Sequence, residues 1–273
     1  MKCVCGILAL ALLAAVGASA ETLTDFEGDA LLGYKVMFNQ PSFSGTSVGL
    51  DRSTSPPLPP NVTAVSNYAA ASGSQSLKVS WQFVDTNPLD WLRLTTYRGS
   101  GLTLGNPTVP FDKIISFKLL YEAGPDLGIC IGLRETYSTA GIGQDGGSLG
   151  AIEYVGATGP KASFPNPDRV LSAAPGWQTF QFDLLRDRIQ ADSGDPLPDK
   201  PSSNGLLDST TGKGVFEQIA FRSTGASNSA GPYTVYMDDV QVTSAVVPEP
   251  MSMLLAAPAI MGVLPIMQRR RRC

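Results

Sequence analysis

Between residues 21 and 247 apolar side chains recur at every second position, in short runs broken by glycine and proline, and no long stretch keeps a helical period. Leu77, Val79, Trp81 and Phe83 alternate with Ser76, Lys78, Ser80 and Gln82. Ile115, Phe117, Leu119 and Tyr121 form a second apolar row, and Phe180, Phe182 and Leu184 alternate with Gln181 and Asp183. Near the end Tyr236, Val240 and Val242 share a parity. Further strands are predicted over residues 23–26, 34–38, 89–97, 127–135, 149–155 and 215–222. A period of two places one row of each strand inward and the other outward. The pattern therefore predicts an all-β chain with a single β-sandwich domain. Proline-rich loops are expected at 51–61 and 192–204, and a glycine-rich one at 141–147. No internal repeat and no second core is legible.

The two ends read differently. Residues 1–20 have the pattern of a secretory signal peptide: Lys2, an apolar stretch over 7–16, then Ala18-Ser19-Ala20 before a cut at Glu21. Residues 248–273 hold, in order, Pro248-Glu249-Pro250, an apolar run over 251–267, and Arg269, Arg270, Arg271 and Arg272. The run is near the short end of membrane-spanning helices, and Pro258 and Pro265 weaken it. Four arginines stay on the cytoplasmic side, which places residues 21–247 outside the cytoplasm. This tail resembles the PEP-CTERM sorting signal. The resemblance implies export, transient anchoring by the C-terminal helix, recognition by an exosortase-type membrane protease, and a final place at the cell surface or outside it, often with extracellular polysaccharide.

Composition narrows the chemistry. Without Lys2, Glu249 and the terminal arginines, 15 basic and 23 acidic side chains remain, a net charge of −8. Such a surface repels nucleic acid and anionic lipid. There is no histidine. That excludes Ser-His-Asp and Cys-His catalysis and histidine-ligated metals. Cys130 is the one cysteine outside the two ends and reads as a small buried residue. Carboxylate catalysis would rest on Glu122, Glu135, Glu153 or Asp145, but no spacing pairs any two of them. The chain is expected to be noncatalytic.

Two candidate sites follow from parity. If Leu92 and Leu94 point inward, Trp91, Arg93 and Tyr97 point outward; if Phe180 and Phe182 point inward, Trp177 and Gln181 point outward; Arg134 opposes Ile129, Ile131 and Leu133. Sugar rings stack their C–H faces on flat aromatics, and their hydroxyls pair with Arg and Gln. A sheet face carrying Trp91, Arg93, Tyr97, Arg134, Trp177 and Gln181 would suit carbohydrate. Trp81 lies in an apolar row and belongs to the core.

Asp25-Phe26-Glu27-Gly28, Ser76-Leu77-Lys78-Val79, Gly176-Trp177-Gln178-Thr179-Phe180 and the stretch 233–242 with Asp238-Asp239-Val240 are similar to segments of carbohydrate-binding modules of the galactose-binding-like, jelly-roll group. The resemblance implies a jelly-roll sandwich and a structural calcium where the first and last strands meet. The matching ligands are Asp25, Glu27, Asp238 and Asp239. Asp238 shares the parity of Val240 and is expected to face inward. The competing expectations are a structural biofilm or matrix protein without glycan affinity, and a carboxylate-based glycan-active enzyme.

Overall fold

The computed structural model describes residues 20–27, 40–41, 47–51, 62–95, 107–135, 152–160, 165–192 and 203–245. The expected strand at 34–38, Tyr97, Asp145, the tail 248–273 and all but the last residue of the leader lie outside the described residues.

In chain order the first strands are β1 (Glu21–Thr24), β2 (Gln40–Pro41), β3 (Val62–Ser66), β4 (Ser76–Trp81), β5 (Trp91–Thr95) and β6 (Thr108–Pro110). Next come β7 (Lys113–Leu120), β8 (Leu127–Glu135), β9 (Ile152–Val155), β10 (Ala157–Thr158) and β11 (Asn166–Pro167). The last are β12 (Arg169–Leu171), β13 (Trp177–Asp183), β14 (Ile189–Ala191), β15 (Lys213–Ser223) and β16 (Tyr233–Ser244). They form an all-β sandwich of two antiparallel sheets, with β10 and β11 paired as a separate two-stranded ribbon. The six-stranded sheet runs β13-β7-β16-β4-β3, and β1 pairs with β16 past the point where β4 leaves it. The eight-stranded sheet runs β14-β9-β8-β15-β5-β2, with β12 on β8 and β6 on β15.

The alternation explains the packing. Leu77, Val79, Trp81, Phe117, Leu119, Phe180 and Phe182 from one sheet meet Leu92, Leu94, Ile129, Ile131, Phe216, Ile219 and Phe221 from the other in one core. Trp81 stacks on Tyr233 (centroids 4.9 Å, 19°) and reaches Phe221 of the facing sheet at 5.4 Å. Burying such rings is the main stabilising term.

Two strands break the period. The register of β15 against β8 slips between Phe216 and Gln218, so both Glu217 and Gln218 lie between the core residues Phe216 and Ile219. The register of β16 against β7 slips between Asp238 and Gln241, where Asp239 adopts φ 50°. An extra residue reverses the parity beyond it. Tyr236, expected inside with Val240 and Val242, is therefore outside, while Val235 and Met237 fill the core. For the same reason Asp238 stands opposite Lys118 and does not share the inward face of Val240.

Candidate binding face on the eight-stranded sheet

The face of the eight-stranded sheet away from the core is unusually rich in side-chain chemistry. Its floor is low because β8 places Gly128, Cys130 and Gly132 there, alternating with core residues. A Cβ on Gly132 would lie 3.1 Å from the Gln218 side chain, so glycine leaves room for that amide. Over this floor Trp91 of β5 and Tyr154 of β9 meet edge to face, with centroids 5.7 Å apart at 81°. They pack with Cys130, Ile152, Ala157 and Ala220 in a second apolar cluster. Trp91 is 4 % exposed and Tyr154 2 %. Burial holds the Tyr154 hydroxyl well above its ordinary pKa, and the charge of Asp192 adds to this. Burial likewise keeps the Cys130 thiol protonated.

A charged network borders the aromatic pair. Arg134 donates from Nε to Glu217 Oε2 at 2.5 Å and from Nη2 to Oε1 at 3.0 Å. Arg93 Nη1 stands 3.9 Å from Glu217 Oε1. Burial disfavours the Arg134 charge, but the hydrogen bond and charge of Glu217 outweigh it and raise its pKa. Gln218 Nε2 donates to Glu217 Oε1 at 3.4 Å, and the Tyr154 hydroxyl donates to Gln218 Oε1 at 3.5 Å. The result is a fixed, nearly buried run of mutually paired donors and acceptors beside a rigid aromatic pair.

The predicted face is divided by the fold. Trp91, Arg93 and Arg134 come together on the eight-stranded sheet. Trp177 and Gln181 point away from the core as their parity predicts, but on β13 at the edge of the other sheet. The six residues therefore do not form one surface. Trp177 instead leads a cross-strand row with Leu120, Tyr236 and Lys78. Tyr68, 67 % exposed, stacks on Tyr236 at 5.1 Å and 20° and donates to Glu122 Oε2 at 3.3 Å. Parity alone misses Tyr154, Glu217 and Gln218. The available signal is the pair Phe216 and Ile219, two core residues three apart with two polar ones between, which marks a bulge.

The acidic end where β1 meets β16 has its own organisation. Glu27 Oε1 accepts from the backbone N–H of Ser74 at 2.6 Å and of Gln75 at 2.5 Å, while Oε2 accepts from the Ser74 hydroxyl at 2.8 Å. Those donors, the Ser74 N–H foremost, lower its pKa. Asp238 Oδ2 accepts from the N–H groups of Ala71 (2.7 Å) and Ser72 (3.1 Å), and Oδ1 from Asp239 N–H (2.7 Å). Burial still raises its pKa against these donors. Asp239 accepts from the Ser72 hydroxyl and lies 2.8 Å from Lys118 Nζ. Asp25 Oδ1 accepts from Glu27 N–H at 3.2 Å. Calcium takes six to eight converging oxygens. Among the described residues no group of three or more acidic, Cys or His side chains converges. As arranged, the carboxylates are met by protein donors and by the Lys118 ammonium, which is not the donor set of an ion site.

No family model matches the chain, and no curated protein matches it. Among solved structures, the family 11 carbohydrate-binding module from Clostridium thermocellum in complex with a β-1,3-1,4-mixed-linked tetrasaccharide is similar over 83 % of this chain and 96 % of that one, with 14 % identity and a TM-score of 0.42. A family 30 carbohydrate-binding module is similar over 77 % and 86 %, with 14 % identity and a TM-score of 0.39. The CBM22-1 xylan-binding domain from Paenibacillus barcinonensis covers 77 % and 92 %, with 14 % identity and a TM-score of 0.28. At these identities and TM-scores the likeness says nothing about binding, and the candidate face stands on its own residues.

Proposed function

We propose that the protein is a noncatalytic, polysaccharide-associated protein of the cell surface or extracellular matrix, exported and sorted by its C-terminal tail. The observation that carries the binding half is the Trp91–Tyr154 aromatic pair beside the Arg93–Glu217–Arg134 network on one sheet face. The flat face of an aromatic ring takes the apolar C–H face of a sugar, and fixed charged donors and acceptors orient its hydroxyls. The sorting half is supported by Pro248-Glu249-Pro250, the apolar run and the four arginines in that order. An exosortase-type protease is the partner that this tail would engage.

The test is retention of the purified full-length protein on a panel of insoluble and soluble polysaccharides after washing. Retention that Trp91→Phe weakens supports the eight-stranded face. A folded protein retained on none of them points to a structural matrix role. Release of reducing ends or unsaturated sugars would return the enzyme reading. Glu135 and Glu153 lie inside the sandwich, bonded to the 204–209 backbone, which speaks against their acting on a bound sugar. Mass spectrometry of the protein from its native host tests the sorting half: loss of residues after the Pro-Glu-Pro motif supports it.

A second location for the same activity is favoured by the exposed Tyr68 stacked on Tyr236, with Trp177 on the same face. Trp177→Ala distinguishes it.

A further inference from the structure

Asn204-Gly205 is the one place in the chain where glycine follows asparagine. The main-chain nitrogen after an asparagine can attack its side-chain amide, and a glycine there obstructs the approach least. Asn87, Asn106 and Asn166 precede proline, which has no N–H, and the other four asparagines precede residues with a side chain. The fold sets three groups on the Asn204-Gly205 pair. Leu206 N–H donates to Asn204 Oδ1 at 2.8 Å, an Asx turn that folds the side chain back over its own main chain. Asn204 Nδ2 donates to Asp208 Oδ2 at 2.9 Å, which holds the nitrogen end of the amide away from Leu206. Gly205 N–H donates to Glu153 Oε2 at 3.1 Å, and Asn204 N–H donates to Oε1 of the same carboxylate at 2.6 Å. Gly205 has φ +82°, a conformation that glycine adopts without strain. Asn204 is exposed, so water reaches the amide, whereas Glu153 is fully buried. Burial lifts the Glu153 carboxyl to about 7 against its donors, which makes it a stronger base than an exposed glutamate.

We infer that Asn204 is a site of self-modification, in which Gly205 N closes on Asn204 Cγ with Glu153 as general base and the residue passes through a cyclic imide to aspartate or isoaspartate. Gly205 N gives its proton to Glu153 as the N–Cγ bond forms. Negative charge gathers on Oδ1 in the tetrahedral centre, where the Leu206 N–H already points. The Cγ–Nδ2 bond then breaks, and Nδ2 leaves as ammonia. Its third hydrogen balances the proton that Gly205 released, which exchange with water returns from Glu153. Water opens the imide at either carbonyl, and no other reactant is needed. A paired N–H ordinarily slows this closure, because the nitrogen must give up its partner. Here the partner is a carboxylate, and the hydrogen bond is itself the path of the proton. The product alters the segment. Aspartate at 204 sets a charge beside Asp208 in place of the donor that met it. Isoaspartate adds a methylene to the main chain between the two N–H groups that Glu153 accepts, so both no longer reach it. A buried carboxylate short of a donor is costly, and the 203–209 segment is loosened. None of this depends on the glycan reading.

Peptide mapping by mass spectrometry reads the conversion in full-length protein aged in mildly alkaline buffer, with the same chain in concentrated urea as reference. Conversion at Asn204 is expected to run about fivefold or more faster in the folded chain than in urea, because the base and the oxyanion donor are in place only there. Asn67 and Asn228, which are exposed too, should stay unmodified over the same period. Glu153→Gln should slow conversion in the folded chain by about tenfold or more and leave the rate in urea unchanged. A folded rate at or below the rate in urea would overturn the inference, as would equal conversion at Asn67 or Asn228, or a folded rate that Glu153→Gln leaves unchanged. If Glu153→Gln does not fold, the comparison of the natural chain with and without urea decides alone.

Discussion

Glu217 Oε2 lies 2.5 Å from Arg134 Nε, although the cross-strand partner of Arg134 is Val215. Glu217 reaches that position because it is the extra residue of the bulge in β15; with an unbroken period it could not share a face with Gln218. It is nearly inaccessible and stands between two arginines. Replacing it with alanine leaves both guanidinium groups in a poorly solvated place without their shared carboxylate. Glu217→Ala is expected to cost about 3–5 kcal/mol of unfolding free energy, as loss of one partner from a buried pair does. Adding Arg134→Ala should cost less than the sum of the single changes, because the pair is coupled. Urea unfolding of the three variants checks this.

The two faces predict opposite outcomes for two aromatic changes. Trp91→Phe keeps a ring against Tyr154 and so spares much of the packing, but shortens the aromatic edge. Polysaccharide retention is expected to fall about fivefold to tenfold, the equivalent of about 1–1.5 kcal/mol of aromatic contact. Trp177→Ala removes a half-buried ring from the edge strand of the other sheet and is expected to leave retention unchanged. The reverse result would move the binding face to Tyr68 and Tyr236.

Local alternation makes the strands and most of the core legible. The row from Leu77 to Trp81 and the strand Leu127–Glu135 stand where the pattern places them. Outward parity is legible too, for Trp91, Arg93, Arg134, Trp177 and Gln181 alike. Which sheet each strand joins is not, because pairing is set by contacts distant in sequence, such as β5 on β15. Trp177 and Trp91 therefore look like neighbours in the sequence and are not. Tyr236 and Asp238 escape the pattern for a different reason: one extra residue at Asp239 reverses the parity that places them. Tyr154 sits in a short strand whose polar neighbour Glu153 faces the interior, so the polarity there misleads. Only the segment that caps Glu153 accounts for it.

The acidic junction separates a protein network from an ion site. Lys118 Nζ sits 2.8 Å from Asp239, and burial, which would raise the Asp239 pKa, is outweighed by this ammonium and the Ser72 hydroxyl. Lys118→Met is expected to lower stability by about 1 kcal/mol, a modest figure because the lysine is partly solvated. A chelator is expected to leave the Tm of the natural protein unchanged, since the carboxylates are already met by protein donors. A clear fall in Tm with chelator, restored by calcium, would show instead that an ion takes the place beside Asp239, with Lys118 displaced.

Asp90 makes stability depend on pH. It is 3 % exposed, and its carboxyl is raised to about 6, first by burial and then by the charge of Asp85 and a hydrogen bond with it. Its backbone is fixed on both sides, with Asp90 N–H donating to Asn87 O at 3.0 Å and Ser223 N–H donating to Asp90 O at 2.8 Å, so the side chain cannot swing out to water without disturbing the loop. Gly49 closes over it: a Cβ there would lie 2.0 Å from Asp90 Oδ1, and φ is +71°. The folded pKa exceeds the unfolded one, so the folded state binds more protons between them. The contribution of Asp90 to stability is therefore most favourable below the ordinary aspartate range and falls as pH rises through about 6. Asp90→Asn keeps the shape and removes the charge, and it should raise stability at about pH 8 by on the order of 1–3 kcal/mol while giving little at about pH 4. Thermal unfolding at the two pH values measures the difference. An equal gain at both would mean that the benefit comes from packing, and a loss at about pH 8 would mean that the charged carboxylate is held by a favourable partner. Gly49→Ala should destabilise at either pH, because its cost is steric and carries no proton.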